Sequence, residues 1–390
     1  MNVTIIHRYF WPESQAAEEP LMLREIVKMH LSRGDSVTVI CGAADDCEEI
    51  WRKEFPDKVF IKAFRSPVDR SGPMSRRAIN ALRLLTRSAA EILSSRRTGL
   101  IYLFAYPPGV AALIIAMCRL TCRRTKLLFS FQDNLEYRIP YYPVRVAYRA
   151  YNRFCISHVS MTMPLSEEMK QHLLSTVSER SRSSVAQRIT VLNNFYSEHV
   201  NIDNITKEKV YDIIYAGNHG PGQNLSHFIE VLALCHITPK PVVVFYGSGT
   251  EKHNLIQKAK HLGVSIEFRD PIGRAAIAEE IQRSRFGLVG MIEELPQYAF
   301  PSKIAAYGCN GTPSILLGPQ DSLMGCWIEQ ETLGHSIDAK APEKAARELE
   351  AIMSQSGALP KTIAKRAKDI FGKERFIASL TTIINDLIES

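Results

Sequence analysis

A glycine-rich segment in the second half of the chain has the composition of an anion-binding turn. The segment Gly217-Asn218-His219-Gly220-Pro221-Gly222-Gln223 follows a short β-branched run and precedes an apolar helical pattern. Glycines allow a ligand to approach the backbone closely, and the free N–H groups at the start of a helix attract negative charge. The spacing is not that of the G-x-G-x-x-G dinucleotide fingerprint, so a tight turn without a ligand is the alternative interpretation.

A second candidate for anion binding is the segment Pro301-Ser302-Lys303. Proline suits the first turn of a helix, and Ser302 can cap that helix with its hydroxyl group. Lys303 would then add a fixed positive charge beside free backbone N–H groups, a combination that suits a diphosphate. An ordinary capped helix with a surface lysine is the alternative.

Three further segments follow predicted strands. Gly247-Ser248-Gly249 either contacts a phosphate or only turns the chain, and Trp11-Pro12-Glu13-Ser14-Gln15 follows the first strand in the same way. Asp133 follows the strand Lys126–Phe131 and could orient a sugar hydroxyl group, act as a base or cap a helix. The histidines and cysteines show no metal-ligand spacing, and among the histidines only His219 lies in a candidate ligand segment.

These segments belong to a repeated alternation of strands and helices. The first series ends with a loop predicted at 175–184 and a strand predicted at 189–192, and the alternation restarts after a polar stretch at 196–209. Continuous apolar strands joined by helices indicate parallel sheets covered on both faces. We therefore predict an α/β fold of two facing, doubly wound domains, with ligands in the cleft at the carboxyl ends of the strands. The predicted domains are 1–198, 199–372 and a C-terminal helix at 373–390 that could return to the first domain.

The charge of the chain is divided unevenly. The 390 residues have a formal net charge of +7, but residues 1–200 hold 28 basic and 19 acidic residues, and residues 201–390 hold 20 and 22. Residues 70–126 hold 11 basic residues and one acidic residue, Glu91. Such a one-sided field favours an anionic partner.

The basic residues flank apolar helical patterns, which favours an anionic membrane surface met by the Arg76–Lys126 region. Nucleic acid is not expected, because no aromatic residues alternate with the charges as stacking platforms. A generic solvated basic face is the alternative. The absence of a secretory signal and the scattered cysteines favour the cytoplasm, at the inner face of a membrane.

Taken together, these motifs resemble those of retaining glycosyltransferases of family four, which have the GT-B fold of two facing Rossmann-like domains. The similarity is greatest to the bacterial polysaccharide and O-antigen branch. The matching segments are Pro12-Glu13-Ser14, Tyr106-Pro107-Pro108, Ala216 to Gln223, Pro301-Ser302-Lys303 and Gly311-Thr312-Pro313.

The resemblance implies a hexosyltransferase that moves a sugar from a nucleotide-diphosphate sugar to a lipid-linked or polysaccharide acceptor, without a metal or another cofactor. Lys303 and Asp133 would be catalytic, with Lys303 stabilising the leaving diphosphate. Glu13, Ser14 and Gln15 would bind the acceptor. The donor would be bound by Gly217, Asn218, Gln223, Gly247, Ser248, Ile272, Gly273, Glu294, Pro301, Ser302 and Lys303, with Ile272 and Gly273 near the base.

The sequence departs from the family pattern at two places. Asn218 and Gln223 occupy positions in the first glycine segment where many members have Arg and Lys, and a pair of glutamates is missing. Many members carry two glutamates in the spacing E-x7-E, where this chain has Tyr298 and Ala306. Glu293 or Glu294 could substitute for the carboxylate that binds the ribose. The missing pair leaves two alternatives open: a non-catalytic GT-B partner that binds sugar nucleotide and supports another transferase, or a GT-B sugar-nucleotide epimerase.

Overall fold

The chain divides into two units with separate sheets and separate hydrophobic cores. The computed structural model describes residues 1–9, 18–43, 47–55, 59–65, 74–94, 99–105, 109–121, 124–196, 205, 208–355 and 359–389. The first unit comprises Met1–Ser197 with Phe376–Ser390, and the second comprises Glu198–Arg375. The α/β architecture expected from the alternation of strands and helices is confirmed.

The first unit contains a six-stranded parallel sheet. Its strands are β1 (Asn2–Tyr9), β2 (Ser36–Ala43), β3 (Val59–Arg65), β4 (Leu100–Phe104), β5 (Lys126–Phe131) and β6 (Met161–Pro164). They are arranged in the order β3-β2-β1-β4-β5-β6. The chain order reverses between β1 and β4, so the first unit has the switch point at which α/β sheets commonly bind ligands.

The strands of this sheet are apolar on both faces because helices cover both. The helices before the linker are α1 (Glu18–Ser32), α2 (Cys47–Glu54), α3 (Met74–Ser94), α4 (Val110–Thr121), α5 (Tyr142–His158), α6 (Glu167–Ser175) and α7 (Glu179–Ala186). Leu100, Tyr102 and Phe104 pack in one core with α1 and α2. Side chains alternate along a strand, so Ile101 and Leu103 face the opposite side, which α3 and its neighbours cover.

The second unit repeats this plan. Its parallel strands are β7 (Tyr211–Ala216), β8 (Val243–Tyr246), β9 (Glu267–Arg269), β10 (Ser284–Gly290), β11 (Ser314–Gly318) and β12 (Gly334–Asp338). The order in the sheet is β12-β11-β10-β7-β8-β9. Its helices are α8 (Leu225–Leu234), α9 (Lys252–His261), α10 (Arg274–Gln282), α11 (Lys303–Cys309), α12 (Leu323–Gln330), α13 (Pro342–Ser354) and α14 (Pro360–Phe371).

The last helix, α15 (Lys373–Glu389), packs on the first unit. Phe376, Leu380 and Ile384 are buried in the same core as the α1 side of the first sheet. On the surface of this contact, Arg33 of α1 donates a hydrogen bond to Asn385 at 2.8 Å. No helix in the part of the chain that the structure describes is long and apolar enough to cross a membrane.

Two sequence predictions for the end of the first unit are wrong. The serine- and arginine-rich segment at 175–184 is not a loop throughout, because α7 begins at Glu179 and buries Val185. The strand predicted at 189–192 is reduced to a single bridge between Ile189 and Thr162. The polar composition of this segment therefore predicted a loop, although a short helix forms there and packs through the buried Val185.

Candidate functional site

Four loops meet at one edge of the second sheet. Strands β10, β7, β8 and β9 are neighbours and run parallel, so the segments that follow them all leave from their carboxyl ends. The segment after β7 is the glycine-rich turn, and the segment after β8 starts with Gly247-Ser248-Gly249. A side-chain hydrogen bond joins the segments that follow β7 and β10, because the amide group of Asn224 donates to the carbonyl group of Met291 at 3.3 Å.

The two glycine segments are bonded directly to each other. Gly217 donates its N–H to Tyr246 at 2.9 Å, and His219 donates to Ser248 at 2.8 Å. Gly217 and Gly247 have φ angles of +149° and +145°. A Cβ atom on Gly247 would lie 1.8 Å from the carbonyl oxygen of Gly217, so no side chain fits there. The close approach of the two backbones explains glycine at position 247, and the positive φ angle favours glycine at both positions.

Lys303 reaches beneath the first glycine segment. Its Nζ atom donates to Gln223 Oε1 at 2.9 Å and lies 5.1 Å from the centre of the Tyr215 ring. A Cβ atom on Gly217 would lie 2.7 Å from Cε of Lys303, which shows how near the side chain comes to the turn. Burial lowers the pKa of Lys303 to about 8. No carboxylate among the described residues pairs with this ammonium group.

The start of α11 differs from the prediction. Ser302 has helical backbone angles and its hydroxyl group makes no capping hydrogen bond, so its predicted role as a helix cap is wrong. Its side chain is exposed at the site, and the preceding Pro301 accepts a hydrogen bond from Ile304 through its carbonyl group at 3.1 Å. Because α11 has only seven residues, its orientation depends on side-chain contacts more than on its own length.

Tyr307 provides those contacts. It is fully buried, accepts a hydrogen bond from the N–H of Ala216 at 3.0 Å and donates to the carbonyl group of Leu288 at 3.2 Å. It therefore ties α11 to both β7 and β10. Lys303 and Tyr307 are four residues apart on this helix, so the bond that positions the tyrosine also positions the lysine.

His219 is buried under the turn. Its ring packs near Tyr215, Phe245 and Phe268, and neither ring nitrogen has a hydrogen-bond partner in the described part of the structure. Burial, together with Lys252 and Lys303, lowers the pKa of His219 to about 4. The imidazole is therefore neutral at pH 7 and leaves the positive charge of the site to lysine.

The remaining donor candidates lie at the same edge with fewer contacts. Asn218 and Ser248 are exposed, and Tyr215 donates its hydroxyl hydrogen to the carbonyl group of Asn218 at 2.6 Å. Ile272 and Gly273 are exposed in the segment between β9 and α10. The strand before them is joined to the second glycine segment, because Gly247 donates to Arg269 at 3.1 Å.

Two exposed carboxylates lie upstream of the missing family pair. Glu293 forms an ion pair with Lys340 at 2.8 Å, and Glu294 is exposed at the start of a short 3-10 helix. Tyr298 is buried and Ala306 is half-buried, so neither position offers an acidic group. Another carboxylate at this edge, Asp270 directly after β9, forms an ion pair with Lys252 at 2.8 Å, and no described carboxylate pairs with Lys303.

The predicted acceptor residues belong to the first unit. Asp133 is exposed just after β5, and the cap of the next 3-10 turn is Asn134, whose side chain accepts from Glu136 N–H at 3.1 Å. The capping alternative for Asp133 is therefore wrong. Glu13, Ser14 and Gln15 lie outside the described residues.

Sequence reasoning missed several residues that build the two edges. Next to Asp133, the buried Glu136 accepts hydrogen bonds from Arg149 at 2.6 Å and from His172 at 3.1 Å. In the second unit, Tyr215 and Tyr307 support the turn and the lysine. The sequence does contain a signal for Tyr215, because it is a residue with a hydroxyl group near the end of an apolar strand and just before the glycine segment. Glu136 had no such signal, because its partners come from distant helices.

Comparison with known proteins identifies the fold. No family model and no curated protein matches the sequence. Among solved structures, the chain is similar to HepE (Alr3699) from Anabaena in complex with UDP, with 14% identity, a TM-score of 0.67 and coverage of 99% of this chain and 100% of that one. It is also similar to a glycosyltransferase from Rickettsia africae, with 15% identity, a TM-score of 0.64 and coverage of 100% and 99%. The lipopolysaccharide outer core galactosyltransferase WaaB matches with 13% identity, a TM-score of 0.68 and coverage of 99% of each chain. The chain therefore has the two-domain α/β fold of GT-B glycosyltransferases.

Proposed function

We propose that this protein is a retaining glycosyltransferase that uses a nucleotide-diphosphate sugar as donor. The observation that carries the proposal is the half-buried Lys303 ammonium group, which lies beside glycine backbone at the carboxyl edge of a parallel sheet. It has an amide oxygen and an aromatic ring as neighbours but no carboxylate among the described residues. A diphosphate would supply the missing negative charge.

The chemistry proposed for this edge is stabilisation of the leaving diphosphate. The glycine segments would admit the phosphates close to the backbone, and the hydroxyl group of Ser302 and the amide of Asn218 offer further hydrogen bonds. A bound diphosphate would raise the pKa of Lys303 and hold it in the charged form. Transfer with retention would let the leaving phosphate help to remove the proton of the acceptor hydroxyl group on the same face.

The proposed reaction needs no metal, because Lys303 supplies the charge that a cation supplies elsewhere. Release of nucleoside diphosphate should therefore continue at an unchanged rate after treatment with EDTA. A loss of activity that Mg²⁺ restores would contradict this part of the proposal. The measurement is a coupled assay of the released nucleoside diphosphate, with and without the chelator.

The acceptor is proposed to be lipid-linked or a polysaccharide, bound by the first unit at the inner face of a membrane. Asp133, exposed at the carboxyl edge of the first sheet, is the proposed base or orienting group. The basic balance of the first half of the chain, 28 basic against 19 acidic residues, favours an anionic surface near that unit.

The test of this function is a panel of sugar nucleotides. Thermal shift with UDP, GDP, ADP and TDP sugars identifies the donor, because a ligand that binds the folded state raises the midpoint of unfolding. UDP-glucose is the first choice, since related structures contain UDP, and one contains glucose as well. Slow release of the matching nucleoside diphosphate, accelerated by an acceptor extract, is expected. No shift with any member of the panel would contradict the proposal.

A second candidate is a non-catalytic partner that binds sugar nucleotide and supports another transferase. The observation in its favour is the absence of carboxylates at Tyr298 and Ala306. This candidate predicts a thermal shift without release of nucleoside diphosphate. An epimerase on the same fold would instead convert the sugar nucleotide to its epimer, which chromatography of the reaction mixture detects.

A further inference from the structure

Four large apolar side chains are exposed where α5 begins. Tyr141, Tyr142, Val144 and Val146 are 72%, 71%, 53% and 45% exposed. This segment lies outside the basic Arg76–Lys126 region. Tyrosine combines an apolar ring with a polar hydroxyl group, and such side chains are enriched at the boundary between lipid headgroups and hydrocarbon.

The exposed tyrosines lie in a turn whose backbone is ordered by hydrogen bonds. The guanidinium group of Arg145 donates two hydrogen bonds to the carbonyl group of Ile139, at 2.8 Å and 3.2 Å. The backbone N–H of Arg145 donates to Tyr141 at 3.0 Å and closes the first helical turn. Because the backbone of the turn is already ordered, burial of the rings in a partner requires ordering of the two side chains but not of the segment that carries them.

The same helical layer exposes further apolar side chains. Helix α4 packs against both α3 and α5. Ile79 and Leu82 of α3 are 51% and 60% exposed, and Leu113 and Leu120 of α4 are 55% and 81% exposed. Each of these three neighbouring helices therefore contributes exposed apolar side chains to the layer.

The charge of this layer is almost entirely positive. Helices α3, α4 and α5 contain four, one and three arginines, and their single carboxylate, Glu91, is buried and paired with Lys62. By contrast, α1 and α2 contain three glutamates each. Arg149 is the one arginine of α5 that pairs with a described carboxylate, the buried Glu136. Exposed apolar side chains on helices with an excess of arginine match an anionic lipid surface in both polarity and charge.

We propose that the N-terminal end of α5, with Tyr141 and Tyr142 at its tip, inserts into the headgroup boundary of an anionic bilayer and anchors the α3–α4–α5 layer there. The arginines bring the layer to the membrane by a salt-sensitive attraction, and the tyrosines add a salt-resistant apolar contact. This inference rests on the proposed function, because it specifies which residues contact the membrane that was proposed there as a partner. Its test uses no donor sugar, so the two can fail separately.

The test is sedimentation of the full chain with vesicles of phosphatidylcholine, with and without phosphatidylglycerol. We expect binding to the mixed vesicles, with a fraction that persists in high salt. The double variant Tyr141→Ser, Tyr142→Ser should lower the partition coefficient by about tenfold or more and abolish the high-salt fraction. Replacing Arg83, Arg87 and Arg153 by Gln should reduce binding at low salt and leave the high-salt fraction.

Leu359→Ser is the matched control, because Leu359 is 74% exposed in the second unit. It should leave vesicle binding unchanged. In the single variant Tyr141→Trp, brominated lipid should quench the fluorescence that the new tryptophan adds. Absence of vesicle binding would overturn the proposal, and so would equal binding by the double variant. Sedimentation velocity supplies a third test, since a wild-type dimer that the double variant abolishes, without vesicle binding, would assign the segment to a second copy of the chain.

Discussion

At the scale of single residues, Lys303 and His219 in the second unit are shielded from solvent and have no described anionic partner. Among the described residues, Lys303 bonds to the amide oxygen of Gln223 and contacts the Tyr215 ring but pairs with no carboxylate, and His219 has no hydrogen-bond partner. Burial of polar groups without compensation costs stability. Such a cost at the carboxyl edge of a parallel sheet is typical of a site prepared for a ligand.

His219 should make the stability of the protein depend on pH. Its folded-state pKa of about 4 lies below the ordinary value of 6.5, so the unfolded chain binds more protons as the pH falls. Stability is therefore present above pH 6.5 and is lost between about 6.5 and 4. The variant His219→Phe should lose about 2 kcal/mol less than the wild type between pH 7.5 and 4.5, as measured by urea unfolding.

The control for this prediction is His253→Gln. His253 is exposed on α9, so His253→Gln removes an imidazole from the surface of the same unit without opening its core. Parallel pH curves for the wild type and His219→Phe would contradict a neutral, buried imidazole. Histidines elsewhere, among them His30 and His335, also have lowered pKa values, and the comparison of variants removes their contribution.

At the scale of elements, the sequence was sufficient to predict which segments follow strands. Gly217 and Gly247 mark strand ends because the chain turns there with positive φ angles that favour glycine, and that constraint is local. The pairing of β7 with β8 and β10 was not readable, because parallel neighbours are far apart in the chain. The sequence therefore identified the site residues individually. That they lie at one edge of the sheet follows only from the strand order, which the structure supplies.

The errors at this scale arise where tertiary contacts override local chemistry. Ser302 stands where a helix cap is common, but the backbone is already helical there, because Tyr307 fixes the short α11 against the sheet. Helix α7 forms from a polar segment because Val185 is buried. Neither contact partner can be recognised from the spacing of residues alone.

The position of α11 can be tested through Gly287. A Cβ atom at Gly287 would lie 2.3 Å from the Tyr307 ring, so Gly287→Ala should push α11 away from β10. We expect a loss of about 1–3 kcal/mol in the free energy of unfolding, together with weaker nucleoside diphosphate binding. Gly273→Ala is the control for stability, since an added Cβ there meets no atom within 4 Å. An unchanged unfolding curve for Gly287→Ala would contradict the tight contact.

At the scale of the whole molecule, α15 returns to the first unit after the chain has built the second. Leu380 is fully buried there, whereas Ile388 of the same helix is 48% exposed. Leu380→Ala should cost about 2–5 kcal/mol because it leaves a cavity. Hydrogen exchange should show lower protection in the first unit, with unchanged protection and nucleoside diphosphate binding in the second.

Ile388→Ala is the control for this experiment and should leave exchange unchanged in both units. Equal loss of protection in both units after Leu380→Ala would show that they unfold together and would contradict separate cores. Loss confined to the second unit would contradict the packing of α15 on the first. The division of charge follows the same two units, with the basic excess in the first half of the chain.

The most direct test of the proposed function is a calorimetric titration with the nucleoside diphosphate that gives the largest thermal shift. Lys303→Ala should weaken binding by about tenfold or more, because a charge-assisted hydrogen bond contributes about 1.5–3 kcal/mol. The control Lys258→Ala removes a lysine that bonds to Ser226 and Glu230 on the surface, and it should bind like the wild type. Equal affinity of Lys303→Ala and the wild type would contradict the assignment of this edge as the donor diphosphate site.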